Sequence, residues 1–111
     1  MSTHATMSAA QIATLTQQFD DVCMDAVQEG RLRGYDPTVY SRMRNQHGPV
    51  DTARRLIDES GVPYGFGRLW ELNLLKLTLE AIVHDNPKFQ ALFSQKTLDN
   101  CRARLVAVGY I

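Results

Sequence analysis

The side chains with chemical potential in this 111-residue chain are few and scattered. Glu80 and His84 stand four apart, which sets a carboxylate and an imidazole on one helical face, a spacing that could share a metal ion. Two ligands do not close a site, and no second His-bearing motif accompanies them. Charge pairing, or His84 bonding the helix end, is the simpler account. Asp20, Asp21 and Asp25 could gather a divalent cation, but a solvated acidic face explains them more cheaply. Cys23 and Cys101 are far apart, have no Cys-x-x-Cys spacing and fall among apolar positions at helical steps, so two buried, reduced thiols are expected. Gly65-Phe66-Gly67 lacks both the preceding strand and the longer glycine spacing of a phosphate-cradling loop. With no serine elbow and no local Cys-His pair, the expectation is no catalytic residue, no metal and no cofactor.

Charge offers more. The net charge is zero, yet the first thirty residues carry Asp20, Asp21, Asp25 and Glu29 with no Lys or Arg. From 31 to 68 there are seven arginines, at 31, 33, 42, 44, 54, 55 and 68, against four acids, Asp36, Asp51, Asp58 and Glu59. Arginine pairs bidentately with carboxylate and phosphate alike. One reading lays the acidic first helix across the arginine-bearing middle; the other presents some of those arginines to a phosphate backbone or an acidic partner.

The segment His47 to Leu56, followed by Ser60-Gly61-Val62 and then Arg68-Leu69-Trp70, has the outline of a helix-turn-helix unit. Its second helix would present Tyr64, Phe66 and Arg68 to a major groove. That helix is poor in the Asn, Gln and Ser that read base edges, and a Trp and Phe packed into a core is the competing reading. Tyr, Trp and Arg also dominate protein interfaces, so Arg54, Arg55, Tyr64 and Arg68 are the candidate partner-binding or nucleic-acid-binding residues.

The elements that must position these side chains are helical throughout. Residues 1–7 read as a frayed tail and 8–111 as a single helical domain. Ser8-Ala9-Ala10-Gln11 is a capping box, and Ile12, Leu15, Phe19, Val22, Cys23, Ala26 and Val27 trace one face of a first helix that should stop at Gly30. Asp36-Pro37 opens a second helix, closed by His47-Gly48. Pro49 starts a third, ended by Gly61. A turn at residues 62–65 leads to a short helix with Phe66, Leu69 and Trp70, in which Gly65 turns the chain and Gly67 permits close approach of a neighbour. Thr78 caps an apolar helix broken by Asp85-Asn86-Pro87, and Ser94 caps the last, with Lys96, Arg102 and Arg104 facing out. No β-alternating run is present, so the expected fold is an all-α compact bundle of six or seven mostly short helices. Phe66, Leu69, Trp70 and the leucines after them are expected to be its buried hub.

No apolar run approaches the roughly 20 residues that cross a bilayer, and the N-terminus lacks a charged flank before a hydrophobic core, so a cytoplasmic protein is expected. The runs 51–57, Gly65-Phe66-Gly67-Arg68-Leu69-Trp70-Glu71-Leu72, 75–83, Leu92-Phe93 and 101–105 together resemble a small bacterial all-helical module. That module occurs alone or attached to nuclease- or helicase-type defence proteins. The resemblance spans about residues 35–110, with Lys76 standing where an acid is expected between two leucines. It implies an accessory or targeting domain near DNA and supplies no catalytic residue. The functional expectation is a non-enzymatic interaction module docking on a protein or nucleoprotein partner, with direct DNA binding as the alternative and a homodimer open.

Overall fold

A computed structural model describes residues 7–111; apart from Met7, the expected tail lies outside the described residues. Helix α1 runs Ala9–Leu32, and its capping box forms as expected: the Gln11 amide donates to Ser8 Oγ at 3.1 Å and the Ser8 amide to Gln11 Oε1 at 2.7 Å. The helix passes through Gly30 instead of stopping there. Gly30 is buried because the Tyr35 ring folds back onto it, so close that an added Cβ would lie 3.0 Å from Tyr35 Cδ2. The reversal is made at Gly34, whose φ of +98° is a left-handed conformation that glycine adopts without strain.

Asp36 accepts from the Thr38 amide at 3.0 Å and its hydroxyl at 2.6 Å, starting α2, Thr38–His47. Gly48 breaks the chain at φ +81°, and Pro49, with no amide hydrogen to strand, opens α3, Pro49–Asp58. Helix α4 covers Tyr64–Glu71, so Gly65 and Gly67 both lie inside it and the turn precedes them. A 3-10 turn, Leu75–Leu77, leads to Thr78, whose hydroxyl accepts from the Ala81 amide at the start of α5, Leu79–Asp85. Asn86-Pro87 then begins a 3-10 segment, Pro87–Leu92, and Ser94 caps α6, Gln95–Ala107. The fold is an all-α bundle with no strand among the described residues, as periodicity predicted.

Helix α5 is the central element. Glu80, Ala81, Ile82 and Val83 are all buried, and α6, α1, α3 and both 3-10 pieces pack around it. The main core joins Phe19, Cys23, Ile57, Val83, Phe89 and Cys101, with Phe19 edge-on to Phe89 at 5.3 Å and to Phe93 at 5.5 Å between ring centres. Edge-on pairing sets the positive rim of one ring on the negative face of the other. The expected hub is corrected here. Phe66, Leu69 and Leu74 are buried, but Phe66 belongs to a smaller cluster with Ala81 and Leu105, and Trp70 is 51% exposed. Helix α4 has only two turns, and Phe66 and Leu69 already occupy its inward direction. Trp70, about 100° past Leu69 and about 40° from Phe66, stands at the edge of that stripe and belongs to neither core cluster.

Two charged groups expected on the surface are also inside. Asp20 is 8% exposed and receives a bidentate pair from Arg44, Nε to Oδ1 at 2.7 Å and Nη2 to Oδ2 at 2.5 Å, joining α1 to α2. Arg104 does not face out: it reaches under α5 to Glu80 at 2.5 Å. No helix is long and apolar enough to cross a membrane among the described residues.

Candidate functional site

Helix α4 carries the aromatic side chains most open to solvent among the described residues. Pro63 and Phe66 anchor its first turn and Leu69 its second, which leaves Tyr64 56% exposed and Trp70 51% exposed, with Val62 beside Gly67 just ahead of the helix. Tyr64 and Arg68, four apart, share a face. Tyr64 stacks on Tyr35 at 6.5 Å between ring centres and 22° between planes, so the α1–α2 corner braces this face. The Tyr35 hydroxyl would lie 3.1 Å from a Cβ added at Gly65, so the bare glycine gives the ring room to sit close to α4. Arg68 pairs with Glu71 at 3.3 Å.

Arg54 and Arg55 lie apart from this face, on α3, where both hold Asp51: Arg54 Nη2 at 2.5 Å and Arg55 Nε at 2.7 Å. Hydrogen bonds from the two guanidinium groups hold the Asp51 carboxyl down at about 2. The four predicted residues therefore form two groups, Tyr64 with Arg68 and Arg54 with Arg55, and each arginine already has a carboxylate. The main neighbours of α3 are α1, α2, α5 and α6, whereas α4 rests chiefly on the 3-10 turn after it. A helix-turn-helix unit, by contrast, has its two helices crossing in contact.

The acid and thiol candidates resolve differently. Glu80 is buried, and its Oε2 accepts from Arg104, whose other donors bind the carbonyls of Leu56, Glu59 and Gly61 at 3.2, 2.8 and 3.1 Å. Burial pushes the Glu80 carboxyl above its ordinary range, against the opposing pull of Arg104. Its partner is thus Arg104 on α6, and no group of three or more metal-ligating side chains occurs among the described residues. Cys23 and Cys101 are free and buried, as expected, and burial pushes both thiols up to about 12, so neither is a thiolate at neutral pH. The Tyr40 hydroxyl lies against Cys23 as a weak sulfur neighbour and makes no proper hydrogen bond among the described residues.

One feature had no signature in the sequence. Between α1, α2, α4 and the start of α5 lies an apolar pocket of about 270 Å3, with Cys23, Val27 and Ile82 at its buried end and Val39 and Tyr64 at its open end. Its walls come from five separate stretches of chain, so no local spacing announces it. Compared with protein-family models, curated proteins and solved structures, the chain matches none.

Proposed function

We propose that this chain is a non-enzymatic interaction module that docks on a protein or nucleoprotein partner through the exposed side of α4, in the bacterial or phage defence setting that its resemblance implies. The observation that carries this reading is the position of Trp70. A small domain gains stability by burying its only indole, yet here the ring stands half open on a two-turn helix. Trp, Tyr and Arg are the residues that concentrate binding energy at protein interfaces. Charge favours a protein surface over bare duplex. Arg54, Arg55 and Arg68 are each matched to Asp51 or Glu71, so phosphates would have to displace existing pairs. The fitting partner presents an apolar recess for the indole and, separately, hydrogen-bond acceptors that reach round α4 to the Tyr64–Arg68 face.

The test uses the full chain as bait in its native host, beside Trp70→Ala, Tyr64→Ala and Arg68→Glu. A protein retained by the parent and lost on Trp70→Ala is the expected result, with a blue shift of Trp70 emission when that purified protein is added. A partner retained equally by all three variants overturns this surface. Retardation of duplex DNA at low salt, abolished by the same substitutions, would put direct DNA binding in its place.

A further inference from the structure

The pocket beneath α4 leads beyond docking. Natural interiors pack to crystal density and hold few voids larger than a water molecule. Here a partly open apolar pocket of about 270 Å3 enters the domain between its helices. An engineered apolar cavity of roughly 150 Å3 stays dry and takes up benzene. By the same scale this one accommodates two or three rings, on the order of fifteen non-hydrogen atoms.

The lining specifies the occupant's chemistry. Val27, Leu56, Phe66 and Ile82 supply apolar walls, and the aromatic rings of Tyr35 and Tyr40 supply flat ones. The charged residues in the lining are both acids, Glu59 towards the mouth and Glu80 inside, with no Lys, Arg or His. A fatty acid or other anion would meet like charge and find no cation, which in an apolar site is strongly unfavourable. Glu80 is 3% exposed, and its Oε2 accepts from Arg104 Nη1. Arg104 already balances its charge and the backbone amide of Glu80 itself reaches the carboxylate, whereas the Tyr40 hydroxyl, buried in the same lining, has no hydrogen-bond partner among the described residues and suits a neutral polar group better than a charged one.

We propose that this pocket binds an uncharged, ring-bearing small molecule with one N–H or O–H group, its apolar body between α1, α2 and α4 and its polar group directed to the Tyr40 hydroxyl. Tyr64 stands at the mouth of the pocket and also belongs to the exposed face of α4. Trp70 does not line the pocket, so loss of docking and loss of ligand binding are separable.

The test compares two fluorescent dyes of one skeleton, neutral phenylnaphthylamine and the anionic anilinonaphthalene sulfonate, on the full chain. Saturable one-to-one binding of the neutral dye is expected, at least about tenfold tighter than the sulfonate, a difference of about 1.4 kcal/mol. Filling the pocket by Leu56→Trp or Ala26→Phe should weaken the neutral dye at least about tenfold in whichever variant keeps the parent's circular dichroism, and Trp70→Ala should leave it unchanged. Amide shifts on the unmodified chain provide a readout that depends on no variant, and they should centre on Val27, Tyr40 and Ile82. Absence of saturable binding, equal affinity for the two dyes, or shifts confined to Val62 and Trp70 would overturn the proposal.

Discussion

Arg104 shows how much one side chain can settle. Its guanidinium lies 5.6 Å from the Phe66 ring centre, ties α6 to α5 through Glu80, and satisfies three carbonyls at and beyond the end of α3. Those carbonyls are the acceptors that a helix C-terminus leaves unpaired, so one cation both caps α3 and neutralises a buried acid. Arg104→Met removes the cation and leaves Glu80 buried and uncompensated, with an expected loss of about 3–5 kcal/mol at neutral pH. The sign of its pH dependence follows from Glu80. Because burial raises the carboxyl above its ordinary 4.5 in the folded state, the stability it contributes is fully present below 4.5 and is lost as pH rises through the folded value. Without Arg104 that folded value climbs further, so the deficit of Arg104→Met should shrink as pH falls towards 4.5. Urea midpoints of both proteins at several pH values check this, and a deficit that grows on acidification would show the pair to be misread. Adding Glu80→Gln to Arg104→Met should recover much of the loss, since the uncompensated charge is then gone.

Helices in this chain begin and end where short-range chemistry directs them. Ser8, Thr78 and Ser94 accept from backbone amides of the first turn, Gly48 breaks before Pro49, and Asn86-Pro87 interrupts α5; each depends on neighbours within four residues and was readable in advance. Gly30 was misread for the opposite reason. A glycine near the end of a helical pattern resembles a terminator, but this one serves a contact with Tyr35, which local sequence does not reveal. The two roles make different predictions. Alanine is favoured over glycine inside a helix by about 1 kcal/mol. At Gly67 the added methyl would meet only Val62 Cγ1 at 3.3 Å, the end of an exposed side chain that can turn aside, so Gly67→Ala should be neutral or stabilising by up to about 1 kcal/mol. At Gly30 it would meet Tyr35 Cδ2 at 3.0 Å and Tyr35 Cβ at 3.3 Å, atoms fixed close to the backbone. Gly30→Ala should therefore destabilise by about 1–3 kcal/mol despite the propensity gain, as overpacking does. Thermal melts of the two variants decide it; equal effects would mean that Tyr35 is not fastened to α1.

For the whole molecule, charge and core organisation follow from pairings too distant in sequence for periodicity to show. Of the seven arginines in the middle of the chain, Arg44, Arg54, Arg55 and Arg68 pair with Asp20, Asp51 and Glu71, of which only Asp20 lies on another helix, while Arg31, Arg33 and Arg42 make no ion pair among the described residues. The all-α class was legible because every apolar run had helical steps. The centre of the core was not, because α4 looks as apolar as α5 in one dimension and only packing distinguishes a buried helix from a flanking one. The two candidate centres separate experimentally. Phe89 is fully buried against Phe19, so Phe89→Ala loses transfer energy and opens a cavity, costing about 3–5 kcal/mol. That is a large share of the 5–15 kcal/mol, or so, by which domains are stable, and it should leave the variant close to unfolding at physiological temperature. Trp70→Ala removes a half-exposed ring that belongs to neither core cluster and should cost about 1 kcal/mol or less. Equilibrium urea unfolding by far-ultraviolet circular dichroism measures both without depending on the indole itself. If Trp70→Ala proves as costly as Phe89→Ala, the indole is part of the core, and the exposed side of α4 loses its claim to be the docking surface.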